Sequence, residues 1–130
     1  MNLFQILTLL LQSFSYTDYV KGGMYMHFTS YLQNNTLTVA LTGEIDHQCA
    51  KSYIDAIASK IEVYMPMACI LDFEQVSFMD SSGIAVVINA MRHMNQLNGS
   101  LSVTGLGSQP MRVFRASGID KLVEIKEVIL

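Results

Sequence analysis

The sequence predicts an α/β fold, a single domain with a mixed sheet of four to five strands and helices packed against it. Three observations point that way. From residue 24 onward, segments of strand character and segments of helical period follow one another in the order ββαβαβαβ, a pattern that builds a layered sheet with right-handed crossovers. The stretch Ala68-Cys69-Ile70-Leu71 is apolar without alternation, as a central strand covered on both faces requires. Between the apolar run 68–73 and a helix-periodic run 84–97 stands Asp80-Ser81-Ser82-Gly83. That is a strand-to-helix turn, and in open α/β sheets the carboxyl rim carrying such turns is where ligands and partners bind.

Residues 1–23 read as an N-terminal extension to a domain at 24–130. Leu3, Phe4, Ile6, Leu7, Leu9, Leu10, Leu11 and Phe14 crowd together, and no Lys or Arg precedes Lys21. The run is too short to span a bilayer and lacks the basic start and small-residue cleavage site of a secretory signal. Two readings remain. One is a helix that faces a membrane. The other, taken as the working expectation, is that these residues are foreign to the native protein. Lys21-Gly22-Gly23 can be encoded by a purine-rich stretch of the ribosome-binding kind, and Met24 follows at once; translation would then begin at Met24 or Met26.

The elements of the domain follow in order. Residues 24–32 and 37–43 read as two strands joined across Gln33-Asn34-Asn35-Thr36; asparagine tolerates the positive φ of tight hairpin turns, so the pair should be antiparallel. Ala50, Tyr53, Ile54, Ile57, Ile61 and Tyr64 then recur at helical spacing, with Asp46 as the N-cap and Pro66 as the stop. Lys51 and Asp55 fall one turn apart on the wet side of this helix. After the 68–71 strand, the helix at 84–97 places Ile84, Val87, Ile88, Met91 and Asn95 along one line, opposite Asn89, Arg92, His93 and Gln96. Val86, Ala90 and Leu97 widen its apolar arc, as extra core or as a partner surface. Asn98-Gly99 ends it, and Leu101 and Val103 alternate as a strand. Ser108 caps a short helix with Pro110 in its first turn, Gly118 closes that helix, and 122–130 reads as a last strand with a ragged turn after it.

Composition excludes several function classes. Charged residues make up 15% of the chain and hydrophobic ones 51%, so the chain should be globular rather than disordered. Eight Lys plus Arg stand against eleven acidic residues with no basic cluster, so nucleic acid is not an expected partner. Cys49 and Cys69 fall in a predicted helix and a predicted buried strand, where reduced core thiols are expected rather than a disulfide. His27, His47 and His93 stand alone, without metal-ligand spacing. No cofactor, metal or stable membrane association is expected, and a reducing, cytoplasmic location is.

Three chemistries compete at the central turn. A serine nucleophile with His47 or His93 as base lacks the Gly-x-Ser-x-Gly elbow and an oxyanion loop. A phosphate cradle would need several glycines and a lysine, and only Gly83 is present. A covalent switch needs only a serine at a helix N-terminus on an exposed rim, where an added phosphoryl group brings close to two negative charges. Asp80 and the serines are also ordinary caps, so a purely structural role stays open.

The residues here carry a resemblance. Phe78-Met79-Asp80-Ser81-Ser82-Gly83-Ile84, preceded by Leu71-Asp72-Phe73, is similar to the signature of STAS domains, in particular the bacterial anti-sigma factor antagonists. Leu41-Thr42-Gly43-Glu44-Ile45-Asp46-His47 resembles the family's first loop, and Phe114-Arg115-Ala116-Ser117-Gly118-Ile119 its late helix and turn. The matches run in order from about residue 24 to about residue 126 and look most like the sporulation type, which controls the forespore sigma factor. The resemblance implies a non-catalytic partner switch. Unphosphorylated antagonist binds an anti-sigma factor serine kinase and frees a sigma factor; the kinase phosphorylates the antagonist, and a protein phosphatase resets it. By position in the motif the phosphorylated serine is Ser81, and Asp46, Asp80, Ser81, Ser82 and Gly83 form the partner-binding rim. The alternative within the resemblance is a STAS scaffold or sensor module of a stressosome-like or transporter-linked assembly. Family members carry a fuller C-terminal helix after the last strand than this sequence provides, which leaves the covering of one sheet face open.

Overall fold

The structure is a computed structural model and describes residues 2–3, 15–21 and 24–127. The expectations placed on residues 4–14 and 128–130 lie outside the described residues. The elements are β1 (Ser15–Lys21), β2 (Met24–Gln33), β3 (Thr36–Ile45), α1 (His47–Tyr64), β4 (Ala68–Met79), α2 (Ser82–Gln96), β5 (Ser100–Thr104), α3 (Ser108–Ser117), a 3-10 turn (Ile119–Lys121) and β6 (Glu124–Lys126).

Among the described residues one mixed sheet carries all the strands, in the spatial order β1-β2-β3-β4-β5-β6. β1 to β3 pair antiparallel, and β3 to β6 pair parallel. The predicted ββαβαβαβ order is therefore present, and its five strands are joined by a sixth. β1 lies inside the stretch read as an extension and adds an edge to the four- to five-stranded sheet expected. The β2–β3 hairpin turns on Asn34 and Asn35, both left-handed with φ of 52° and 61°, as a two-residue turn matched to strand twist requires.

α1 starts at Asp46, whose carboxylate accepts the N–H groups of Gln48 and Cys49 at 3.0 and 3.2 Å. It ends at Met65, itself left-handed, just before Pro66. The exposed Lys51–Asp55 pair forms at 3.4 Å. Cys49, Ala50, Tyr53, Ile57 and Ile61 are buried along this helix, and Tyr53 reaches the C=O of Thr42 with its hydroxyl, 3.0 Å away.

Two readings of burial change. β4 was expected to be covered on both faces, but Cys69, Leu71 and Phe73 are buried while Ala68, Ile70 and Asp72 between them are half-buried. Small or apolar residues on the less covered face hide the alternation from a hydropathy reading. In α2 the buried stripe is Gly83, Val86, Val87, Ala90 and Met94, with Ile84 at its edge. Ile88 and Met91 are half-buried and Asn95 is exposed, so the core-facing line is turned about one position from the expected one. α2 packs on α1 as well as on β4 and β5, and Val86 and Ala90 are buried with the rest of the stripe.

At the other end, Gly107 rather than Ser108 is the cap of α3, and Ser108 is its first residue. Gly118 closes α3 in the left-handed region, as expected. Phe114 of α3 packs edge-on against Phe73 at 5.6 Å between centroids. Cys49 and Cys69 are buried and unbridged. Burial pushes the Cys69 thiol up to about 12 and raises that of Cys49 as well, so both stay protonated and poor nucleophiles at neutral pH.

Candidate functional site

β4 is long because β3 follows it to the rim, from Thr36↔Ala68 to Ile45↔Met79, with two register shifts on the way. β4 runs on past β5, which ends at Thr104 and whose pairing with β4 stops at Asp72↔Thr104. The Asp80-Ser81-Ser82-Gly83 turn is thus delivered to the carboxyl edge of the sheet beside the end of β3.

Within the turn the roles divide. Asp80 Oδ1 accepts the Ser82 N–H at 2.8 Å, and the Asp80 C=O accepts the Gly83 N–H at 3.0 Å. Asp80 therefore acts as the working cap of α2, satisfying two of the first N–H groups of the helix. Ser81 lies in right-handed helical conformation at the formal cap position, makes no side-chain capping bond, and is exposed. Ser82 is the first residue of α2 and is half-buried. Gly83 is buried against β4: a Cβ there would collide with Met79 Cε and lie 3.3 Å from Met79 Cβ. A larger residue there would require the Met79 side chain to shift.

Asp46 joins this rim through the backbone. The Asp80 N–H donates to the C=O of Ile45 at 3.1 Å, and Ile45 immediately precedes Asp46. The Asp46 carboxyl is held below its usual value, chiefly by the N–H of Cys49; partial desolvation opposes this, and Gln48 adds to the lowering. The structure thus brings together all five residues singled out in the sequence, Asp46, Asp80, Ser81, Ser82 and Gly83. Two carboxylates serve as caps, and the exposed hydroxyl of Ser81 stands at the start of α2, which has no acidic residue in its first turn. Such a hydroxyl can carry a phosphoryl group with little strain, since N–H groups and the dipole at a helix start favour negative charge.

Of the two histidines considered as bases, one lies at the far end of α2 and the other directly follows Asp46. His93 lies in the last turn of α2, with Nδ1 2.9 Å from the C=O of Asn89. His47 is the exposed first residue of α1. Among the described residues no group of three or more His, Cys, Asp and Glu side chains is arranged to hold a metal ion, and no helix is long and apolar enough to cross a membrane.

Sequence reasoning missed one residue at the site. Gln109, in the first turn of α3, bonds both backbone groups of Met79, accepting its N–H at 2.9 Å and donating to its C=O at 2.7 Å. Nothing in the local pattern around Gln109 announces a partner thirty residues away.

The STAS domain pattern matches residues 27–129. The chain belongs to the STAS family. Among its relatives, the anti-sigma-B factor antagonist of Listeria monocytogenes is 32% identical over 95 residues, covering 71% of this chain and 80% of that protein. The anti-sigma F factor antagonist of Lysinibacillus sphaericus is 30% identical over 95 residues, covering 72% and 81%. Two solved structures share the STAS fold at 23% identity. The anti-sigma factor antagonist SpoIIAA in its unphosphorylated form superposes with a TM-score of 0.67 over 88% of this chain and 89% of that one. SpoIIAA of Bacillus in the phosphorylated form gives 0.61 over 88% and 92%.

Proposed function

We propose that this STAS domain is an anti-sigma factor antagonist, a non-catalytic partner switch controlled at Ser81. In its unphosphorylated form it binds an anti-sigma factor serine kinase through the rim of Asp46, Asp80, Ser81, Ser82 and Gly83, and the sigma factor is released. The kinase transfers the γ-phosphoryl group of ATP to the Ser81 hydroxyl, whose proton is lost as ADP leaves, and a protein phosphatase restores the hydroxyl. The observation that carries this reading is the division of labour in the turn. Asp80 caps the helix, which leaves Ser81 exposed and without a capping bond.

The switch acts on the complex rather than on the fold. A phosphoryl group on Ser81 sits where helix N–H groups tolerate negative charge. Yet it adds charge on a rim that already carries Asp80 and Asp46, so like-charge repulsion and desolvation oppose a partner that must cover it. A penalty of about 3–4 kcal/mol, plausible for an uncompensated charge at an interface, weakens binding by about two to three orders of magnitude.

Relatives of the sigma-B and sigma-F types match at nearly equal identity, 32% and 30%. The sporulation-type reading, with the forespore sigma factor as the final target, therefore rests on which kinase the chain binds. The test is mass spectrometry of the kinase-treated protein, with titration of variants against the anti-sigma factor. Ser81→Ala should bind permanently and take up no phosphate, Ser81→Asp should fold normally and bind poorly, and Ser82→Ala should remain phosphorylatable. Phosphate on Ser82, or wild-type binding by Ser81→Asp, overturns the assignment. Recovery of a large homo-assembly instead of a kinase complex would favour the scaffold reading.

A further inference from the structure

Beyond Asp72, β4 has lost β5 as a neighbour but still runs on to Met79. Successive residues of a strand direct their backbone groups to opposite edges, and a strand edge without a neighbour leaves N–H and C=O groups in need of partners. At the end of β4 both edges are closed. Asp80 points its N–H to β3, where Ile45 accepts it at 3.1 Å. Met79 points the other way, and the primary amide of Gln109 meets it with Oε1 on the N–H at 2.9 Å and Nε2 on the C=O at 2.7 Å. A primary amide carries a donor and an acceptor side by side, so one side chain stands in for the missing strand. Its orientation is fixed, because the flipped amide would set donor against donor and acceptor against acceptor.

We propose that Gln109 is a positioning residue for Ser81. It holds the backbone two residues before the hydroxyl and couples the first turn of α3 to the presentation of the turn, so a shift of α3 alters how Ser81 meets a kinase. The inference rests on Ser81 being the phosphoacceptor, but its structural half can be read without a kinase.

The experiment uses the 15N-labelled full chain, with amide exchange and chemical shifts of Met79, Asp80 and Ser81 read beside the kinetics of phosphorylation by the anti-sigma factor kinase. In Gln109→Ala the Met79 amide should exchange about tenfold faster or more, on the scale that two lost hydrogen bonds set. The Asp80 and Ser81 shifts should move, and kcat/KM for phosphorylation should fall about tenfold through KM, as expected when presentation rather than chemistry is damaged. Gln109→Glu supplies a signature that loss of stability alone cannot give. At pH 8 the introduced carboxylate accepts the Met79 N–H but repels its C=O. On acidification toward about pH 4 the carboxyl regains a proton to donate, so Met79 protection, corrected for intrinsic exchange, should climb back. Met79 protection unchanged in Gln109→Ala, or no recovery of Gln109→Glu at low pH, overturns the clamp. Wild type phosphorylated on Ser81 with Gln109→Ala equal to it in kcat/KM overturns the positioning role. Failure of the functional reading looks different, since wild type itself would carry no phosphate on Ser81.

Discussion

Asp46 serves α1 with one carboxylate oxygen that accepts two N–H groups, from Gln48 and Cys49. Those bonds favour the charged form and hold its pKa below the usual carboxylate value, with the Cys49 N–H as the largest cause. A carboxyl whose pKa is lower folded than unfolded contributes stability that is full above the unfolded value near 4. That contribution drains away as the pH falls toward and through the folded value. Asp46→Ala should therefore cost about 1 kcal/mol at pH 7, the usual cost of a lost cap. Asp46→Asn keeps a capping oxygen without a titrating group, so its stability relative to wild type should improve between pH 5 and pH 3. Urea titrations at the two pH values check this; a wild-type advantage over Asp46→Asn that grows on acidification would contradict it. Residues with local partners were legible in this way. Asp46, Asp80 and Gly118 cap or close helices through partners within four residues, and short-range chemistry names them. Gln109 was not legible, because its partner is Met79 and only the tertiary path of β4 brings them together.

At the scale of elements, the sequence fixes periodicity better than it fixes what covers each face. α2 starts at Ser82, two residues before the expected 84–97 run, and its buried line passes through Met94 rather than Asn95, since a helix that touches both a sheet and a second helix buries a wider arc than one contact predicts. α1 shows a conflict that local rules can relieve. Its cap residue Met65 sits at φ 45°, ψ 54°, and its N–H reaches the C=O of Ile61 at 2.8 Å. A left-handed conformation costs a residue with a Cβ roughly 1 kcal/mol, and Met65 is 64% exposed, so its side chain returns little in packing. Met65→Gly should raise stability by up to about 0.5 kcal/mol after the greater freedom of glycine in the unfolded chain is counted. It should leave phosphorylation unchanged, because Met65 lies before the start of β4 and Ser81 beyond its end. Thermal unfolding of the variant decides the sign; a lower midpoint would mean that the Met65 side chain packs better than its exposure suggests.

For the whole molecule, the hairpin followed by parallel crossovers was readable because asparagine turns, helical spacing and strand runs agreed in order. β1 was not, because Ser15–Lys21 follows the apolar stretch 4–14 and was grouped with it as an extension. The domain read at 24–130 implies that residues 1–23 are dispensable for folding, and β1 sharpens what their removal should do. β2 keeps its pairing with β3 from Phe28↔Leu41 to Gln33↔Thr36 without β1, and Phe28, Leu37, Val39 and Leu41 are buried in that hairpin. A chain starting at Met24 should therefore lose the β1 ladder, Ser15↔Ser30 to Lys21↔Met24, and keep its core. Its stability should stay within about 1 kcal/mol of the full chain, a difference in keeping with the loss of one edge strand, and its affinity for the kinase should not change. The new edge, however, is Met24–Gln33, which contains no Lys, Arg, Asp, Glu or Pro, the devices by which exposed edges resist pairing with other chains. The shortened chain should accordingly self-associate more as concentration rises. Urea titration, light scattering and kinase titration on the two chains measure the three quantities. A loss of several kcal/mol, or a loss of partner binding in the chain starting at Met24, would make residues 1–23 a working part of the domain, whereas equal stability with concentration-dependent association would assign β1 the role of guarding the edge of β2.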